Sequence, residues 1–134
     1  MDLIVDTHMA LWYLDGSQMI PERAKEAIGD VRNAIYVSDA SAWEVAIKHM
    51  NRPEAFSGSA AEFMRRCDAV GFLRLPIDRI SISEYEKLDT SRAEGVHRDP
   101  FDRMLIAQAR ASNMMLATHD KALRLYDEPN VMVF

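Results

Sequence analysis

The 134-residue chain has one cysteine, Cys67, so it can close no internal disulfide and build no thiolate-rich metal site. Glycine and proline number five each, too few for a collagenous or low-complexity chain. No apolar run approaches the ~20 residues that cross a bilayer. The opening Met1-Asp2-Leu3-Ile4-Val5-Asp6 lacks the basic flank of a secretion signal, so the expectation is a cytoplasmic protein without membrane contact. Positive charge is also short, with 21 acids against 16 bases and a net charge of −5. That balance excludes a non-specific nucleic-acid binder that relies on a basic surface. One route to a polyanion stays open, in which divalent cations lie between the two sets of negative charges. Gly-x-Gly-x-x-Gly, a P-loop and a Gly-x-Ser-x-Gly elbow are all missing, which removes nucleotide-cofactor and serine-hydrolase readings.

What is present is an ordinary core-forming composition, 49% hydrophobic and 28% charged, at a length that suits one domain over residues 1–134. Short apolar runs without alternation recur at Leu3–Val5, Ala34–Val37, Phe72–Leu75, Met114–Ala117 and Val131–Phe134. Such runs fit strands buried on both faces of a parallel sheet. Helical patterns lie between them. One opens at Pro21 and runs to about Val31, and Ser38 or Ser41 caps a second that runs to about Met50. Ser59-x-x-Glu62 starts another that Gly71 ends, and Ser81-x-x-Glu84 starts a short one. Asp99-Pro100 opens the longest, which ends near Asn113. Strands alternating with helices predict a three-layer α/β/α domain with a central, mainly parallel sheet. Right-handed crossovers then gather strand ends and helix starts on one side of that sheet.

Four carboxylates fall on that side. Asp6 follows the first strand, Glu44 lies early in the helix after the second, Asp102 falls in the first turn of the long helix, and Asp120 follows the fourth strand. Hard divalent cations such as Mg²⁺ take oxygen ligands of this kind together with substrate phosphates. Each acid also has a structural explanation. Ser41-x-x-Glu44 matches a capping box, Asp99 before Pro100 reads as an N-cap, and Asp120 suits the cap of a short helix from Lys121. Asp6 is the hardest to explain structurally, since no cation is near it in sequence. The Asp6-Thr7-His8 triplet also suits a His/Asp metallophosphoesterase, although the Gly-Asn-His clusters of such enzymes are absent. Cys67 reads as a small buried hydrophobe.

Several strings together resemble the PIN-domain family, in its VapC-type toxin branch. They are Asp6-Thr7-His8 with Leu11-Trp12, Ser41-Ala42-Trp43-Glu44-Val45-Ala46-Ile47-Lys48, and Leu116-Ala117-Thr118-His119-Asp120 with Tyr126 downstream. The longest is His97-Arg98-Asp99-Pro100-Phe101-Asp102-Arg103-Met104-Leu105-Ile106-Ala107-Gln108-Ala109. The resemblance implies a PIN fold and an endoribonuclease dependent on Mg²⁺ (or Mn²⁺), acting by metal-activated water. It carries the family's acidic quartet onto Asp6, Glu44, Asp102 and Asp120, with Asp99 as an auxiliary acid better explained as a cap. Lys48, Arg98 and Arg103 are candidates for contact with backbone phosphates, each equally explained as a surface ion-pair partner. The implied partners are an RNA substrate, a small cognate antitoxin and a second copy in a homodimer. The alternative is a catalytically silent PIN-like module that binds RNA or protein.

Overall fold

The computed structural model describes residues 1–54 and 58–134. The strands β1 (Asp2–Val5), β2 (Ala34–Ser38), β3 (Leu73–Leu75), β4 (Met115–Thr118) and β5 (Val131–Val133) form one sheet in the order β3-β2-β1-β4-β5. Every pairing in it is parallel, where the sequence predicted a mainly parallel sheet. The centre of the sheet is β1, which is why Leu3-Ile4-Val5 is apolar without alternation: Leu3 and Val5 face one side and Ile4 the other.

Helices α1 (Thr7–Asp15), α2 (Glu22–Gly29), α3 (Asp39–Asn51), α4 (Ala60–Ala69), α5 (Arg79–Glu86) and α6 (Pro100–Ser112) flank the sheet, with a 3-10 helix at Lys121–Tyr126. Met9, Ala10, Leu11, Ala24, Ile28, Phe63 and Cys67 pack under Leu3, Val5 and Val37 on one face. On the other, Leu105, Ile106, Ala109, Leu123 and Tyr126 cover Ile4 and Leu116. This is the three-layer α/β/α arrangement expected from the pattern. Among the described residues no helix is long and apolar enough to cross a membrane.

The helix signals differ from expectation in three places. The sequence reading placed no helix after β1, yet α1 begins at once, with Asp6 as its N-cap. Asp78, not Ser81, caps α5: its carboxylate accepts both the Ser81 N–H at 2.8 Å and the Ser81 hydroxyl at 2.7 Å. Ser38 caps α3 by accepting the Ala40 N–H at 2.9 Å, so Ser41 lies inside the helix and the Ser41-x-x-Glu44 capping box does not form. Other signals hold as read. Ser59 caps α4, Asn113 ends α6 in the left-handed region, and Gly71 beyond α4 sits at φ 86°, where a Cβ is disfavoured.

Candidate functional site

The carboxyl ends of β1 and β4 lie side by side, and Thr118 joins the acids that follow them. Its hydroxyl donates to Asp6 Oδ2 at 2.6 Å and accepts the backbone N–H of Asp120 at 3.0 Å. Asp6 Oδ1 accepts the Met9 N–H at 2.7 Å, so one carboxylate caps α1 and is gripped by the neighbouring strand. Asp6 is 6% exposed. Burial pushes its carboxyl up, and the hydrogen bonds from Thr118 and Met9 oppose that rise. Asp120 caps the 3-10 helix by accepting the Ala122 N–H at 2.9 Å on Oδ1, which leaves Oδ2 on the side of His97.

The N-terminus of α6 closes on these two acids. Asp99 is its N-cap, accepting the N–H groups of Phe101 at 2.8 Å and Asp102 at 3.2 Å. Asp102, one turn on, is pushed up to about 7, first by burial and then by the negative charges of Asp99 and Asp6; the His97 hydrogen bond pulls the other way. His97 enters from the loop before α6, with Nε2 3.0 Å from Asp102 Oδ2 and 3.8 Å from Asp120 Oδ2. Ligand-type atoms of His97, Asp102 and Asp120 all lie within 4.8 Å of one another.

The remaining predicted residues are placed as follows. Glu44 is buried at 4% exposure and its Oε2 pairs with Lys48 Nζ at 2.8 Å, one turn along α3. The helix that carries it is tied to α1 by a hydrogen bond from Thr7 Oγ1 to Ser41 Oγ at 2.9 Å. Arg98 is exposed beside the cluster. Arg103, expected at a phosphate, turns inward instead: its Nε donates to the Tyr126 hydroxyl at 2.8 Å and its Nη2 to the His97 carbonyl at 3.0 Å. His8 is exposed on α1, where its ring packs near Trp12, and it is not in the cluster with Asp102 and Asp120. A phosphoesterase built on Asp6-Thr7-His8 has no support in that position.

Sequence reasoning passed over His97, Thr118 and Tyr126 as site residues. Tyr126 is 1% exposed and its hydroxyl lies 2.7 Å from His97 Nδ1. The available signal was the company these residues keep, since His97 and Thr118 sit inside motifs already singled out for their acids.

The PIN domain model matches residues 3–129, nearly the whole chain. The chain belongs to the PIN domain family. This PIN domain is also similar in fold to solved toxin–antitoxin complexes. VapBC-1 from nontypeable Haemophilus influenzae aligns with a TM-score of 0.71 at 16% identity, covering 99% of this chain and 98% of that one. VapBC2 from Rickettsia felis, bound to a DNA fragment from its promoter, gives 0.66 at 15% identity over 100% and 98%. A toxin–antitoxin complex from Klebsiella pneumoniae gives 0.60 at 20% identity over 98% and 96%. No curated protein matches this chain in sequence.

Proposed function

We propose that this PIN domain is a divalent-metal-dependent endoribonuclease, the toxin of a toxin–antitoxin pair. The observation that carries the reading is that Asp102 and Asp120 offer ligand-type oxygens within 4.8 Å of each other, with buried Asp6 tied to Asp120 through Thr118 and near enough for its charge to act on Asp102. Folding gains nothing from gathering like charges, and the cost shows at Asp102, whose carboxyl is raised first by burial and then by the charges of Asp99 and Asp6. An oxygen donor set of this kind suits a hard cation, Mg²⁺ or Mn²⁺. Asp6, Asp102 and Asp120 would hold it, with Glu44 supporting the shell. When bound, such an ion supplies positive charge against a phosphodiester and makes attacking water more acidic.

The chain's own residues do the rest. The Thr118 hydroxyl fixes the rotamer of Asp6 and the backbone of Asp120, so both carboxylates are preorganised. Asp99 fixes the first turn of α6 and with it the approach of Asp102. Arg98, exposed beside the cluster, is the cation offered to the RNA backbone; Lys48 and Arg103 leave that role, because Lys48 is paired with Glu44 and the Arg103 guanidinium is engaged with Tyr126 and His97. A catalytically silent module would have no need of the three acids, which is why we prefer the nuclease. The similarity to VapBC complexes supports a small antitoxin as partner. The test is RNA cleavage by purified protein with and without divalent metal, alongside Asp102→Asn.

A further inference from the structure

The hydrogen bonds around Tyr126 determine where the His97 ring carries its proton. Arg103 can only donate, so its Nε–H at 2.8 Å makes the Tyr126 hydroxyl an acceptor. Tyr126 has one proton to give. Its acceptors are His97 Nδ1 at 2.7 Å and the His97 carbonyl at 3.5 Å. The carbonyl contact is at the outer limit of a hydrogen bond, and that oxygen already receives Arg103 Nη2 at 3.0 Å. The proton therefore goes to Nδ1. The ring proton is left on Nε2, which points at Asp102 Oδ2 at 3.0 Å. A second ring proton on Nδ1 would displace that of Tyr126 and leave it without a good acceptor.

We infer that Arg103, Tyr126 and His97 form a one-directional donor chain that ends on Asp102, with His97 a positioning residue and not a metal ligand. The chain is buried where it matters: Tyr126 is 1% and His97 9% exposed, and their rings meet edge to face at 86°. Water has little access to replace either bond. With Nε2–H donated to Oδ2, Asp102 keeps one carboxylate oxygen turned and free for a cation. The imidazole nitrogen nearest Asp102 and Asp120 then has no lone pair to offer, although its distance alone would admit it as a ligand. This gives a physical reason for the His97, Asp102, Arg103 and Tyr126 combination: three side chains that fix the carboxylate of the fourth, Asp102. The inference rests on the reading of this cluster as a metal site.

The experiment has two arms. Long-range ¹H–¹⁵N NMR on metal-free protein reads the His97 tautomer, and Mn²⁺ titration followed by electron spin-echo spectroscopy reads affinity and nitrogen ligation. The chain predicts an Nε2–H ring in wild type and a loss of that single tautomer in Tyr126→Phe. Mn²⁺ affinity should fall about tenfold or more in His97→Ala. It should recover in His97→Gln, whose amide N–H reaches to the same place, and bound Mn²⁺ should show no histidine nitrogen coupling. An Nδ1–H or doubly protonated ring in wild type would overturn the inference. So would nitrogen coupling from His97, or Mn²⁺ affinity unchanged in His97→Ala. Wild-type protein that binds no Mn²⁺ at all would instead refute the metal reading, while the NMR arm still judged the donor chain.

Discussion

Thr118 and Asp6, separated by 112 positions in sequence, share a 2.6 Å hydrogen bond in which the threonine hydroxyl donates to a buried carboxylate. Because β1 and β4 are adjacent and parallel, with Val5 opposite Ala117, the residues just beyond them are brought together by sheet register alone. The same hydroxyl accepts the Asp120 N–H at 3.0 Å. One small side chain thus sets the spacing of two acids on different elements.

Asp6 has two separable jobs, as helix cap and as buried acid. Asparagine caps about as well as aspartate, whereas alanine at an N-cap costs about 0.5–2 kcal/mol. In EDTA, Asp6→Asn should therefore melt at or above the wild-type temperature, since it removes a charge that burial disfavours. Asp6→Ala should melt below it. Adding Mg²⁺ should raise the wild-type melting temperature and raise that of Asp6→Asn less, by linkage to the native state. Thermal melts at fixed ionic strength check all of this, and an Asp6→Asn protein several degrees less stable in EDTA would contradict it.

Asp99 and Asp102 stand one turn apart in α6 and should fail in opposite ways. Asp99→Ala removes the acceptor of two backbone N–H groups, so it should cost about 0.5–2 kcal/mol and keep part of the activity. Asp102→Asn should keep stability and abolish cleavage. Melting curves with single-turnover cleavage decide between these outcomes. A fully stable but inert Asp99→Ala would make Asp99 a ligand.

The strand ends were legible because buried parallel strands leave continuous apolar runs, and those of β1 and β4 stop at Asp6 and Thr118, which belong to the site. The long helix was legible from Asp99-Pro100 and its end at Asn113. Helix α1 was not, because Met9, Ala10 and Leu11 are all buried and leave no clear alternation of apolar and polar faces. Missing α1 also hid the capping role of Asp6. Glu44 was legible as an acid on the right helix but not in its environment, since its pairing with Lys48 depends on burial that no local pattern announces. Tyr126 was visible only as a residue downstream of a motif. Its bond to His97 spans 29 positions and depends on how the 3-10 helix packs against α6.

The raised Asp102 carboxyl makes metal-free stability depend on pH. Its ordinary value is 3.8 and the fold holds it at about 7, so the folded state binds the proton more tightly than the unfolded chain. The stability it contributes is fully present below about pH 4 and is lost as pH rises through 7. In EDTA, the stability of wild type relative to Asp102→Asn should fall steadily from pH 4 to pH 8. Urea unfolding across that range measures the difference, and a difference independent of pH would show that Asp102 is not held in its neutral form.

The central claim is that the converged acids cut RNA through a divalent cation, and the most direct measurement is cleavage of a labelled RNA by purified protein. Cleavage should require Mg²⁺ or Mn²⁺, stop on exhaustive EDTA treatment, return on adding metal back, and be absent in a folded Asp102→Asn variant. Cleavage that survives both metal removal and Asp102→Asn, or a well-folded wild type that cuts no RNA with either metal, would contradict it.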